Sequence, residues 1–171
     1  MAGHASYPAT YTERNETGCC PAPDVSAWDR CTVEFTGQPF LRRMTRSLLH
    51  VPVNMSRTMT ALQADAQRAG VVPETSHALV LSRELSPWRA EHLMAVTGPV
   101  EGADNVELAG TFASRVFEGP FRDAGSWDRD VRAYAESLGG HPGDVYFCYT
   151  TCPACAKHYG KNNVIALARI A

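Results

Sequence analysis

Four cysteines, two near each end of the sequence, have the residue type and the local spacing of a metal site. Cys152 and Cys155 form a Cys-Pro-x-Cys motif, and Cys19 and Cys20 are adjacent. Zinc favours tetrahedral sites of thiolate and imidazole ligands, and a Cys-x-x-Cys motif presents two sulfurs at a suitable separation. We therefore predict that these four thiols bind one structural zinc ion and fasten an N-terminal arm, residues 1–30, onto the last hairpin.

Two other uses of these thiols are compatible with the sequence. His158 is an alternative ligand, because Cys152, Cys155 and His158 read as Cys-x₂-Cys-x₂-His. A strand followed by Cys-Pro-x-Cys is also typical of thiol–disulfide oxidoreductases. In those folds the motif opens a long helix, whereas here Gly160 interrupts any helix soon after the motif. Thiols with no common role are the remaining alternative.

A closed tetrathiolate site has no open position for a substrate, so catalysis would need other residues. Two carboxylates on the predicted strands are the candidates. Glu91 begins a strand shortly after Trp88. Partial desolvation beside the indole would suit this acid to activate water or to bind a cation. Glu118 ends another strand and is expected on the opposite wall of a cleft. The simpler alternative for both acids is a carboxylate in solvent, at a strand edge or in a turn.

Two tyrosines and a histidine are the remaining candidates for a ligand site. Side chains alternate along a strand, so Tyr146 and Tyr149 must point to opposite faces of the sheet. At most one of them faces a cleft, where it would stack on a planar ligand or donate its hydroxyl. His50 is expected late in a long strand, either as a donor to developing negative charge or as an ordinary core or edge residue.

Composition and charge narrow the class of protein. The chain has 171 residues, of which 44% are hydrophobic and 20% charged, and its formal charge is −2. The charge argues against a nucleic-acid binder, and the sequence lacks the glycine-rich motifs of nucleotide sites, so no nucleotide cofactor is expected. No stretch approaches the roughly 18 apolar residues of a membrane span, and no signal peptide is visible. We expect a soluble cytoplasmic protein, whose oligomeric state the sequence does not indicate.

The periodicity of apolar residues predicts an α+β domain over residues 31–171. Apolar residues at helical spacing predict helices at about 56–69 and 127–138. Gly70 is placed where a helix-terminating glycine belongs, and the first ten or so residues are expected to be disordered. Strands are predicted at 31–35, 40–53, 78–81, 91–96, 108–117, 145–150 and 164–170. The order is a duplicated β-α-β-β unit, which predicts an antiparallel-rich sheet with two helices on one face and a ligand cleft between the halves.

The second half of the sequence resembles a known family. The stretch Ala109–Phe121, AGTFASRVFEGPF, is followed by Trp127 in the next helix. This Gly-x-aromatic strand, its terminal Glu-Gly-Pro-aromatic turn and the tryptophan resemble the GyrI-like small-molecule-binding domain. The resemblance covers about 40–170 and is topological in the first half. It implies a duplicated β-α-β-β fold with a cleft, to which the cysteine arm and the Cys-Pro-x-Cys knuckle are additions.

The resemblance implies three candidate functions. The first is a hydrolase acting on a reactive, strained-ring compound of the DNA-alkylating type, for self-resistance or detoxification. The second is a non-enzymatic domain that binds or sequesters a small aromatic or electrophilic molecule, and the third is a protein-interaction module such as a gyrase modulator. The residues expected at the site are Glu91, Glu118, Tyr149 and His50 for catalysis, and Trp88 and Tyr146 for ligand binding.

Overall fold

The computed structural model describes residues 5–171, which form an antiparallel barrel with three helices and an N-terminal arm. The strands are β1 (Cys31–Leu48), β2 (Val51–Pro52), β3 (Val80–Ser86), β4 (Arg89–Ala95), β5 (Asn105–Glu118), β6 (Val145–Tyr149) and β7 (Asn163–Arg169). The helices are α1 (Met55–Ala69), α2 (Ala124–Ser137) and α3 (Pro153–Tyr159). The predicted α+β class and the duplicated strand–helix–strand–strand order are confirmed.

The barrel closes because β1 is long enough to pair with two strands. The order around the sheet is β1-β4-β3-β6-β7-β5, and β5 pairs again with β1. The register of β1 against β5 shifts between Thr36 and Gln38, and Gly37 between them has φ 81°. Such a bulge bends the strand, and a glycine adopts this backbone conformation without steric cost. The predicted break between residues 35 and 40 is therefore a bend within one strand.

The inner face of the barrel is filled by apolar side chains, two of which come from the arm. Trp28 is fully buried and Tyr7 is 4% exposed. Both pack in one cluster with strand residues such as Phe35 and Phe112. Burying an aromatic ring of this size stabilises the fold by about 2–3 kcal/mol. The expectation of a disordered start is therefore wrong from residue 5 onward, since the arm closes the barrel interior; residues 1–4 lie outside the described residues.

The outer face of the barrel bears the two long helices, as predicted. Leu62 of α1 packs over Leu41 of β1, and Val131 of α2 packs over Ala113 of β5. Helix α1 ends at Gly70, whose φ of 67° confirms the predicted terminating glycine. Since the helices cover only part of this face, the strands between them form the floor of a cleft.

Helix α3 begins within the Cys-Pro-x-Cys motif, where the sequence suggested that Gly160 would interrupt any helix. Pro153 occupies the first turn of the helix, where its fixed φ is already helical and its missing N–H is not needed. The helix ends at Gly160, whose φ is 79°. The glycine that was expected to prevent a helix thus terminates a short one. None of the helices in the described part of the chain combines the length and the apolar character needed to cross a lipid bilayer.

Candidate functional site

A cleft lies on the outer face of the sheet, between the two halves of the fold. Its volume is about 770 Å³, and its lining includes residues of β3, β4 and β6, with Met55 of α1 on one side and Asp128 of α2 on the other. A cleft of this volume accommodates a drug-sized molecule. The predicted position of the ligand cleft is therefore confirmed.

One wall of the cleft is aromatic. Tyr149 lies between Phe121 and Phe147, with ring centroids 5.6 and 6.2 Å away respectively. Burial, and to a lesser extent the nearby Glu84 carboxylate, raises the pKa of the Tyr149 hydroxyl above its ordinary value. The phenol therefore stays protonated at neutral pH and is available as a hydrogen-bond donor. This wall can stack against a planar ligand.

An imidazole–carboxylate pair also lines the cleft. His50 Nδ1 is 2.8 Å from Glu84 Oε2, and both residues line the cleft. This contact orients the ring and leaves Nε2 as the nitrogen that can exchange a proton with a bound molecule. A histidine oriented by a carboxylate is the usual arrangement of a general base.

The backbone that supports His50 is strained. Leu49 and His50 connect β1 to β2 with φ values of 48° and 71°. Positive φ at both central positions of a two-residue hairpin is normally the role of Asn and Gly, and it costs about 1–2 kcal/mol for an ordinary residue. Strain of this kind clusters at functional sites, so the turn supports the assignment of His50 to the site.

The floor of the cleft contains a buried histidine between two hydroxyl groups. His92 Nδ1 lies 2.7 Å from Ser82 Oγ, and His92 Nε2 lies 2.9 Å from Thr45 Oγ1. Burial lowers the pKa of His92 to about 4, so the ring is neutral at physiological pH. The sequence-based choice of candidates missed this group and Glu84. The feature of the sequence that could have indicated both residues is the alternation of polar residues along β3 and β4, which places Ser82, Glu84 and His92 on one face.

Glu91 lies on the opposite face of the sheet from the cleft, and the expectation of a carboxylate beside Trp88 is not met. Its side chain is 5% exposed and receives Arg83 Nη2 at 2.6 Å, with Arg42 Nη1 at 3.9 Å. Tyr146 also points inward, where the Arg83 guanidinium lies over its ring at 5.1 Å. The alternation along β4 explains the position of Glu91, because its neighbours His92 and Ala90 line the cleft.

Two further predicted residues lie away from the cleft. Glu118 ends β5 as an exposed side chain, 3.2 Å from Lys161 Nζ. Trp88 is 55% exposed, in the turn between β3 and β4. Neither side chain is among the described residues that line the cleft. Of the six residues predicted for catalysis and ligand binding, the structure brings His50 and Tyr149 to the cleft.

The four predicted metal ligands lie together at the junction of the arm and α3. The sulfur atoms of Cys19, Cys20, Cys152 and Cys155 all lie within 4.8 Å of one another, and the first two are 3.7 Å apart. Four thiols at this spacing can bind one metal ion. Sulfurs bound at about 2.3 Å to a tetrahedral zinc would be about 3.8 Å apart, so the donor set fits this ion.

Hydrogen bonds hold the two segments of the thiol cluster in place. Thr17 Oγ1 accepts the backbone N–H groups of Cys19 and Cys20 and lies 3.2 Å from Cys155 Sγ. This last contact lowers the pKa of Cys155 to about 6. Tyr159 of α3 donates its hydroxyl to the carbonyl oxygen of Cys20 at 2.9 Å. The arm is thus bonded to α3 through polar contacts around the cluster.

Sequence comparison assigns the chain to a family. The model of a protein family described as bacterial hydrolase matches residues 10–170. The chain belongs to this bacterial hydrolase family. The match takes in both the cleft and all four clustered cysteines. None of the curated proteins matches the chain.

Several solved structures share the fold of this bacterial hydrolase family member. One is an uncharacterized conserved protein from Listeria innocua, with a TM-score of 0.61 and 11% identity over 85% of this chain and 94% of that one. Another is a hydrolase from Listeria innocua, with a TM-score of 0.60 and 12% identity over the same shares. A third, SAV2435 bound to tetraphenylphosphonium, has a TM-score of 0.51 and 10% identity over 82% and 93%. At these identities the likeness shows the fold alone.

Proposed function

We propose that this member of the bacterial hydrolase family is a GyrI-like enzyme that adds water to a planar, electrophilic small molecule of the strained-ring, DNA-alkylating type. The main support is the composition of the cleft, whose lining combines an aromatic wall with an imidazole–carboxylate pair. The wall suits a flat aromatic compound, and the pair suits activation of water. Such an activity would serve self-resistance or detoxification.

The proposed reaction assigns a role to each group of the cleft. The substrate stacks on Phe121 and Tyr149, and His50 Nε2 takes a proton from a water molecule. The water oxygen bonds to the strained carbon, and the ring bond to that carbon breaks. Its electron pair passes to a conjugated carbonyl oxygen, to which Tyr149 donates a hydrogen bond. The proton on His50 then returns to this oxygen, so that water is added with no other change.

Glu84 takes the place that the sequence had suggested for Glu91 or Glu118. Its carboxylate keeps the His50 proton on Nδ1 and stabilises the imidazolium that forms during proton transfer. Glu91 lies among arginines on the other face of the sheet, and Glu118 lies in solvent beside Lys161.

A turnover screen tests this proposal. Purified protein is incubated with a panel of cyclopropane-bearing DNA-alkylating compounds, and the compounds and the intact protein are followed by mass spectrometry. A product one water heavier, formed many times per protein molecule and about 100-fold more slowly by His50→Gln, supports the proposal. Glu118→Gln, which changes an acid outside the cleft, is the matched control. A failure of the whole panel to react would contradict the proposed activity.

Sequestration without reaction is a second candidate, favoured by one comparison. SAV2435, which shares the fold, is bound to tetraphenylphosphonium, a compound whose flat aromatic rings would suit a wall such as Phe121, Phe147 and Tyr149. The same screen separates the two functions. Unchanged compound that stays with the protein, and is released by Tyr149→Ala, would establish binding without hydrolysis.

We also propose that the ion held by the thiol cluster is a structural zinc. Four sulfur ligands favour zinc over calcium or magnesium, which prefer oxygen. The set is complete with Cys19, Cys20, Cys152 and Cys155, and it leaves no position for a substrate. When bound, zinc would join the arm to α3. His158, the alternative ligand, has its Nε2 directed to Glu16 Oε2 at 3.9 Å.

Metal analysis of freshly purified, reduced protein tests the zinc proposal. We expect one zinc per chain, lost in Cys20→Ser and in Cys155→Ser. Cys31 is half-buried elsewhere in the fold, so Cys31→Ser should keep the metal. Protein that contains no metal but forms a Cys152–Cys155 disulfide reversibly would support the redox alternative instead.

A further inference from the structure

The contacts of Thr45 decide which nitrogen of His92 carries the proton. Thr45 is 1% exposed, and the great majority of buried hydroxyl groups in proteins are hydrogen-bonded. Among the contacts of the described residues, the acceptor within reach of Thr45 Oγ1 is His92 Nε2, at 2.9 Å. The Thr45 hydroxyl therefore donates to Nε2, which must carry a lone pair.

The neutral state of His92 fixes the rest of the chain of hydrogen bonds. Burial lowers the pKa of the ring to about 4, so one nitrogen is protonated and the other is not. With the lone pair on Nε2, the proton is on Nδ1, and this N–H donates to Ser82 Oγ at 2.7 Å. The Ser82 oxygen is then an acceptor towards the histidine, and its own hydroxyl proton is left for another partner.

Ser82 lines the cleft. Its backbone pairs with His92 of β4 on one side and with Phe147 of β6 on the other, so Ser82 lies between the buried histidine and the aromatic wall. We propose that the relay from Thr45 through His92 to Ser82 orients the Ser82 hydroxyl into the cleft, as a hydrogen-bond donor to an oxygen atom of the bound molecule.

This arrangement makes Ser82 a donor and not a nucleophile. A serine nucleophile must give its proton to the histidine, but here the histidine gives a proton to the serine. Bonding to Nδ1–H also withdraws electron density from the Ser82 oxygen, which strengthens its own hydroxyl as a donor. Building on the proposed hydrolysis, Ser82 would bind the same developing oxyanion as Tyr149.

The tautomer of His92 can be measured without any substrate. In the protein labelled with ¹⁵N, long-range ¹H–¹⁵N spectra distinguish a protonated ring nitrogen from an unprotonated one. His92→Gln identifies the signals. We expect Nδ1 to be protonated and Nε2 unprotonated, and Thr45→Val to release this preference. Protonated Nε2 with unprotonated Nδ1 in the wild-type protein would overturn the proposal, whatever the protein turns over.

Kinetics of Ser82 variants test the contact with substrate. On a strained-ring compound that the wild-type protein hydrolyses, Ser82→Ala should lower kcat by about 100-fold, the usual effect of losing one oxyanion donor. Ser82→Thr keeps the hydroxyl and should recover most of the rate. A covalent adduct on Ser82, or an unchanged kcat in Ser82→Ala, would overturn the role of donor. If no compound of the panel reacts, the proposed function fails, while the tautomer measurement still decides the orientation of Ser82.

Discussion

Each face of the β3–β4 hairpin carries a glutamate, and the two carboxylates have different surroundings. On the inner face, Glu91 is almost fully buried and is neutralised by Arg83 and Arg42. On the outer face, Glu84 is half-exposed and contacts His50 in the cleft. The inner carboxylate has its bonding capacity taken up by fixed cations, whereas the outer one holds a group that can take and release a proton. The difference separates an acid that stabilises the fold from one that can serve chemistry.

The largest effect should come from removing the inner carboxylate. Glu91→Ala removes the buried acid of Arg83 and leaves Asp144, 2.6 Å from Arg83 Nη1, as its remaining acid. Losing one charge-assisted contact of this kind costs about 1.5–3 kcal/mol of unfolding free energy. Urea denaturation followed by circular dichroism measures it. Glu118→Ala, which breaks an exposed pair, should change stability by less than about 1 kcal/mol. A comparable loss in both variants would show that the two settings do not differ.

Removing the outer carboxylate should lower the activity and leave the free energy of unfolding nearly unchanged. Glu84→Gln removes the charge that orients His50 and stabilises its protonated form, so kcat/KM on the substrate found in the turnover screen should fall about 100-fold. The free energy of unfolding should change by less than about 1 kcal/mol, because the pair is half-exposed. A stability loss as large as that of Glu91→Ala would contradict a catalytic role for this acid.

The buried His92 on the outer face makes the free energy of unfolding depend on pH. Its pKa in the folded state is about 4, below the value of about 6.5 in an unfolded chain. The unfolded state therefore binds more protons between these pH values, and acidification destabilises the fold. The contribution is fully present above pH 6.5 and should decrease by about 2 kcal/mol between pH 7 and pH 5. Denaturation at both pH values should show this difference in wild type and lose it in His92→Gln.

The smallest effect concerns the strained turn that holds His50. Asn tolerates positive φ better than Leu does, so Leu49→Asn should raise the free energy of unfolding by about 0.5–1 kcal/mol. Thermal denaturation at a fixed scan rate would detect this change, and the rate of hydrolysis should stay near that of wild type. A loss of stability would mean that the Leu49 side chain makes contacts worth more than the strain.

The sequence predicted the elements of the fold well, because periodicity reports which side of a helix or strand is buried. Helix α1 and its terminating glycine followed from local rules alone. Closure of the barrel did not, because it depends on the pairing of β1 with β5, and no local pattern in either strand specifies that partner. The interior position of Tyr7 was missed for the same reason, since the residues that bury it are distant in sequence.

The site was predicted in part, and the errors share one cause. Glu91 and Glu84 are both acids on neighbouring strands, and choosing between them needs the face that each strand turns to the cleft. A shift of one residue in that assignment moves every side chain of the strand to the other face of the sheet. The thiol cluster was easier, because the spacing of Cys152 and Cys155 is itself a geometric signal, and Cys19 and Cys20 are a matching pair.

The burial of Tyr7 and Trp28 has a consequence for synthesis of the protein on the ribosome. The arm is made first, yet it bonds to residues made much later: Thr17 and Cys155 are 138 positions apart, and Tyr11 and Thr150 are 139 apart. At about 5–20 residues per second, its aromatic rings wait on the order of ten seconds for β6 and β7. During this time they are exposed to chaperones and to neighbouring nascent chains. The metal proposed for the four thiols would be taken up only after this wait, because Cys152 and Cys155 are made at its end.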